Sequence, residues 1–146
     1  MIGMVTKDMF FDRAKVARAV DSGVRKVLSQ FGAFVRTTAR HSIRKRKAVS
    51  QPGHPPSSHI GTLKRLIYFG YDAGRKSVVI GPTPLGGEAV VPELLEQDHT
   101  AGTVRRVRGR HHGKAVLMTY RARPFMGPAF EQEKAKLPAL WAGSVK

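Results

Sequence analysis

The chain has 146 residues, 41% of them hydrophobic and 25% charged, the composition of one globular domain long enough to bury a core. It contains no cysteine, which excludes a disulfide scaffold, a thiolate zinc site, an iron–sulfur cluster and a cysteine nucleophile. Lys and Arg number 26 against 10 Asp and Glu, a formal charge of +16, and so large an excess points to nucleic acid, an acidic protein surface or an anionic membrane.

The charge is unevenly spread. Residues 1–50 carry 12 basic and 3 acidic side chains, residues 51–100 carry 4 and 5, and residues 101–146 carry 10 and 2. A neutral middle therefore separates two basic ends. No apolar run approaches the roughly 18–20 residues of a membrane helix. The opening Met-Ile-Gly-Met-Val-Thr-Lys-Asp lacks the pattern of a signal peptide, and no membrane partner is expected.

Residues 7–47 read as one long helix. Phe10, Ala17, Val24 and Phe31 recur seven apart, a second row runs Val20, Val27 and Phe34, and Ala14, Leu28 and Val35 widen the stripe. Asp8 and Asp12 suit the positive end of the helix dipole, and Arg44, Lys45, Arg46 and Lys47 suit the negative end. Gly23 and Gly32 each cost the helix about 1 kcal/mol relative to Ala. They mark either tolerated weakness or close approach of another backbone.

Residues 48–59 hold three prolines and a glycine and read as a loop. Thr62 or Ser58 can cap a short helical turn through Leu63 and Leu66. Strand-like runs follow at Leu66–Tyr71, Ser77–Gly81, Glu88–Leu95, Thr103–Arg108 and Ala115–Tyr120. The first two read as a hairpin across Tyr71-Asp-Ala-Gly-Arg. The third is ambiguous, because Glu93-Leu-Leu-Glu-Gln also fits a helical turn. Residues 109–114 read as a basic hairpin tip. Pro124 ends the last strand, Pro128 suits the first turn of a final helix, and Pro138 is expected to end or kink it. The fold class is α+β: a long N-terminal helix, a small antiparallel β meander and a short C-terminal helix in a single domain, 1–146.

No arrangement for catalysis or cofactor binding is legible. None of the six histidines has the spacing of a metalloprotease helix, and His111 and His112 are adjacent, so on a strand they face opposite ways. Glu93, Glu96 and Asp98, followed by His99, form the one acidic cluster; on so basic a chain, ion pairing explains it better than acid–base chemistry. No nucleophile elbow, phosphate loop or dinucleotide fingerprint occurs. Neither an enzyme nor a metal or cofactor is expected. The basic clusters Arg44, Lys45, Arg46, Lys47 and Arg105, Arg106, Arg108, Arg110 are the candidates for phosphate contact. Aromatic side chains are not interleaved with them, which argues against base stacking, and no sequence-reading motif is present.

The order of features carries a resemblance. After the long helix come Ser50-Gln-Pro-Gly-His-Pro-Pro-Ser-Ser-His-Ile-Gly-Thr-Leu, short strands with Val79-Ile-Gly-Pro, the segment Pro92-Glu-Leu-Leu-Glu, and Ala122-Arg-Pro-Phe-Met-Gly-Pro-Ala-Phe-Glu. This resembles the head–tail joining, neck or tail-completion proteins of long-tailed bacteriophages. The resemblance spans roughly residues 8–142 and is most specific at 52–63 and 122–130. It departs after Glu96, where many relatives continue with an aromatic residue and a glycine and this chain has Gln97-Asp-His. The resemblance implies a virion protein, assembled in the host cytoplasm. It would form a homo-oligomeric ring, six copies favoured over twelve, at the junction of neck and tail, with double-stranded DNA passing through.

A ring needs two different complementary patches per subunit, and a neutral middle with basic ends supplies them. Subunit contacts are expected at Pro52, Pro55, Pro56, Glu93, Glu96, Arg123, Pro124, Phe125 and Trp141. Phe125 and Trp141 read equally as interface anchors or as core. A channel that releases DNA does not hold it tightly, so the basic excess divides between acidic surfaces of neighbouring neck and tail proteins and the lumen, the 105–110 hairpin being the foremost lumen candidate. The rival is a free, sequence-independent nucleic-acid-binding protein, supported by the charge alone.

Overall fold

The computed structural model describes residues 12–83, 91–104 and 115–144. The expected N-terminal helix is α1, Arg13–Ser42. The Asp12 carboxylate caps it by accepting the Lys15 amide at 2.9 Å. Its buried row is Val27, Phe31, Val35 and Ala39, four apart, and Ile43 continues the row just past the helix. The rows expected from sevenfold spacing hold only in part. Ala17, Val20 and Phe34 are exposed, and Phe10 lies outside the described residues. The first ten residues of α1 are almost all exposed, so the helix outruns the body that covers its later turns.

The helix ends five residues before its expected boundary. Ile43 is extended (φ −78°, ψ 113°) and fully buried, and Ser42 turns its hydroxyl back onto the Ala39 carbonyl at 2.8 Å. Burying Ile43 is worth roughly 1.5–3 kcal/mol, more than one further helical turn gains from propensity. Arg44–Lys47 therefore leave the helix. Arg44–Lys45 form a short strand, β1, that pairs in parallel with β2, Ser57–Ser58, inside the segment expected to be all loop.

The helical turn expected after the loop is α2, Thr62–Arg65, with Gly61 at its N-cap and the Ser58 hydroxyl accepting the Gly61 amide. β3 (Ile67–Asp72) and β4 (Ser77–Pro82) form the expected antiparallel hairpin, registered Ile67 to Pro82 and Asp72 to Ser77. In its turn, the Asp72 Oδ1 accepts the amides of Gly74 and Arg75. The hairpin lies on α1 at Gly32. A Cβ there would stand 2.7 Å from Val78 Cγ2 and 2.9 Å from Phe69 Cδ2. Close approach is the reason for that glycine, and the approaching groups are side chains of the same chain.

The ambiguous segment is helical: α3, Val91–Glu96. β5 (His99–Val104) and β6 (Ala115–Tyr120) form a second antiparallel ladder, so the long antiparallel strands fall into two separate hairpins among the described residues. The chain closes with α4, Met126–Lys134, and α5, Leu137–Trp141. Pro128 sits in the first turn of α4 as expected. Pro138 does not interrupt α4, which ends before it; it occupies the first turn of α5, where its missing amide proton costs nothing. α4 packs on α1 through an edge-to-face contact of Phe31 with Phe130, 5.7 Å between centroids at 81°. The Thr38 hydroxyl donates to Glu133 Oε1 at 2.7 Å. One core unites Phe31, Val35, Ala39, Ile43, Leu63, Ile67, Phe125 and Ala129. The architecture is α+β, as the sequence indicated.

Candidate interaction surfaces

The segments 50–63 and 122–130, which carry the resemblance, meet in the fold. Gly53 adopts a left-handed conformation (φ +79°) that suits glycine and gives its amide to the Ala122 carbonyl at 2.8 Å. Arg123 donates through Nε to the Ser50 carbonyl at 3.0 Å and through Nη1 to the Arg121 carbonyl at 3.2 Å. Its own amide reaches the Leu95 carbonyl at 2.7 Å, which brings the end of α3 into the same junction.

Glu96 completes this junction. Its Oε1 accepts the amides of Phe125 (3.1 Å) and Met126 (2.8 Å), and its Oε2 accepts that of Gly127 (3.2 Å). These are unpaired donors of the first turn of α4, where the helix dipole also favours an anion. Glu96, expected at a subunit contact, thus caps a helix of its own chain. Asp98, in the same acidic cluster, accepts the Ala122 amide at 2.6 Å. Among the described residues, two of the three carboxylates are held by backbone donors rather than by Lys or Arg. Glu93 is exposed.

The other expected contact residues divide. Phe125 is 1% exposed and belongs to the core, so it is no interface anchor, whereas Trp141 remains 39% exposed. Pro56 is buried, Pro55 and Pro124 are half-buried, and Pro52 is exposed. Beside the junction runs an apolar groove of about 370 Å³ walled by Pro56, Leu63, Leu95, Val49 and Ile60. Val49 and Ile60 are each 75% exposed at its edges. The buried Ser50 hydroxyl lines the same groove and has no hydrogen-bond partner among the described residues. Neither Ser50 nor the groove was legible in the sequence, because residues 49–63 and 95 come together only through tertiary packing.

A second, open-sided groove of about 610 Å³ lies between the end of α1, β1 and the proline-rich loop. His41, Arg44, Arg46, Gln51 and His54 line it together with Val49. Arg46 is steadied by its Nε, which donates to the Ser57 hydroxyl at 2.9 Å. Lys45 and Lys47 are exposed and do not line it. The second basic cluster, Arg105, Arg106, Arg108 and Arg110, lies outside the described residues, as do His111 and His112. Two further arginines do structural work on carbonyls: Arg36 Nε donates to Ile67 at 3.0 Å and Arg40 Nη2 to Arg65 at 2.7 Å.

Among the described residues no three His, Asp or Glu side chains converge as metal ligands. Glu133 is buried and its carboxyl is held below its ordinary 4.5, first by the Thr38 hydroxyl and then by Lys136, against the opposing effect of burial. The Thr38–Glu133 hydrogen bond ties α4 to α1. Compared in turn with protein-family models, curated proteins and solved structures, the chain finds no match.

Proposed function

We propose that this chain is a non-enzymatic structural protein of a tailed-phage virion, a subunit of a homo-oligomeric ring, six copies favoured, at the head–tail junction. Its partners are copies of itself, neighbouring neck and tail proteins, and the double-stranded DNA that passes through the ring. One observation carries this reading. The segments 50–63 and 122–130 lock together beside an open, largely apolar groove rimmed by the 75% exposed Val49 and Ile60 and lined by the Ser50 hydroxyl, which has no partner among the described residues. A groove with apolar walls at Val49, Pro56, Ile60, Leu63 and Leu95 and polar groups at Ser50, Ser57, Ser58, His59, Thr62 and Arg123 asks for an apolar protein segment bearing hydrogen-bond donors or acceptors. A neighbouring subunit supplies such a segment in a head-to-tail ring.

Electron microscopy of the purified protein tests this directly. Closed rings are expected, and substituting Val49 and Ile60 with Asp should dissolve them while leaving the fold intact. Dispersed monomers for the unsubstituted protein would refute the proposal. The rival, a free sequence-independent nucleic-acid-binding protein, draws support from the exposed run Arg44–Lys47. Micromolar or tighter binding of random duplex by a protein that never forms rings would favour it.

A further inference from the structure

The shortened helix changes what the run Arg44-Lys45-Arg46-Lys47 does. On a helix, side chains turn by about 100° per residue, so Arg44 and Arg46 would point to different faces. On an extended chain they alternate. Arg44 and Arg46 accordingly line the 610 Å³ groove, and Lys45 and Lys47 do not. The groove thus receives guanidinium groups from β1 and the residue after it, imidazoles from the end of α1 and from the proline-rich loop, and the Gln51 side-chain amide as a further donor. Among the described residues no carboxylate lines it.

We propose that this groove is a phosphate-binding site, accepting a phosphate group of a nucleic-acid backbone or of a phosphorylated small molecule. Two features select phosphate over a protein carboxylate. Donors reach the groove from two stretches of chain, residues 41–46 and 51–54, which suits a tetrahedral anion with oxygens on several sides better than a planar one. The two basic residues of the run that line it are both arginines, whose planar forks match phosphate oxygens in pairs, while Lys45 and Lys47 do not line it. The site goes beyond the ring reading and stands without it: a monomer can hold phosphate here, and a ring can form with the groove empty.

Two paired substitutions test the proposal, because each removes two positive charges from the same four residues. Binding of a short random duplex is followed by fluorescence anisotropy over a salt series, and binding of inorganic pyrophosphate by calorimetry. R44Q/R46Q should weaken the duplex at least tenfold, on the order of the loss expected for two arginine–phosphate contacts. It should also lower the salt slope by about 1.8, at roughly 0.9 per contact. K45Q/K47Q should change affinity by less than about threefold, the modest effect of exposed charge. Pyrophosphate binding that R44Q/R46Q abolishes supports a small-molecule source, and duplex binding without it supports the polymer backbone. R44K/R46K keeps the charge and loses the fork, and an intermediate loss with an unchanged melting curve supports the site even if the glutamine pair unfolds. Equal losses for the two glutamine pairs would overturn the proposal, since net charge alone would then explain binding. So would absence of binding to both probes, or binding of polyglutamate as tight and as dependent on Arg44 and Arg46 as binding of duplex. Sedimentation of the same variants reads ring formation separately.

Discussion

Replacing Glu96 with Ala is the sharpest test of how the C-terminal part is held. The substitution removes both oxygens that accept the amides of Phe125, Met126 and Gly127 at 2.8–3.2 Å. Loss of a helix cap costs about 0.5–2 kcal/mol, and loss of an anion at the positive helix end costs about 0.3–1 kcal/mol more. Phe125 sits 1% exposed at this corner, so its freed amide has little access to water, which places the sum toward the upper end, about 2–3 kcal/mol. For a chain of this length that corresponds to a melting temperature lower by roughly 6–10 °C. Glu96→Gln keeps one acceptor oxygen and should lose about 1 kcal/mol. Urea unfolding followed by circular dichroism, at a protein concentration where the oligomeric state is known and held fixed, measures both. A Glu96→Ala protein within about 0.5 kcal/mol of the original, the range of ordinary surface substitutions, that nevertheless fails to assemble would refute the cap. Glu96 would then act between subunits.

Three further substitutions probe the same framework. Gly32→Ala gains about 1 kcal/mol of helix propensity but drives a methyl group to 2.7 Å from Val78 and 2.9 Å from Phe69. Overpacking costs about 1–3 kcal/mol, so a net loss in urea unfolding is expected, and a gain would show that the hairpin is not seated there. Phe125→Ala should cost about 3–5 kcal/mol, whereas Trp141→Ala should spare the monomer's stability and weaken association; the reverse order would exchange their roles. The Glu133 carboxyl is held below its ordinary 4.5, so its contribution is full above about that pH and fades as pH falls through the lowered folded value. The stability gap between the original protein and Glu133→Gln should therefore narrow from pH 7 to pH 3, and a gap that is constant or wider would contradict the Thr38–Glu133–Lys136 arrangement.

What was legible in the sequence was local. The 3.6-residue rhythm announced α1, and Ser77-Val-Val-Ile-Gly with its turn announced the β3–β4 hairpin, because periodicity and turn chemistry reside in neighbouring residues. The end of α1 was not legible, since Ile43 leaves the helix to fill a core whose other walls are Leu63, Ile67 and Phe125. That one residue decides whether the basic run fans out or alternates, and so whether Arg44 and Arg46 share a groove. Glu96 reads from the sequence as a subunit-contact residue, whereas the partners it holds lie 29 to 31 positions away in its own chain and are backbone amides, which no residue type advertises. Phe125 and Trp141 looked alike as large aromatics near the C-terminus, and only packing separates the buried one from the exposed one. Gly32 reads from the sequence either as tolerated weakness or as close approach of another backbone, and nothing there names the Val78 and Phe69 side chains as the groups that approach it.

Sedimentation velocity over a dilution series, on the full chain at physiological salt, bears most directly on the central claim. A single discrete species of ring mass, six subunits favoured, that persists on dilution and breaks down when Val49 and Ile60 are replaced with Asp is the predicted outcome. A species of monomer mass at every concentration would contradict it.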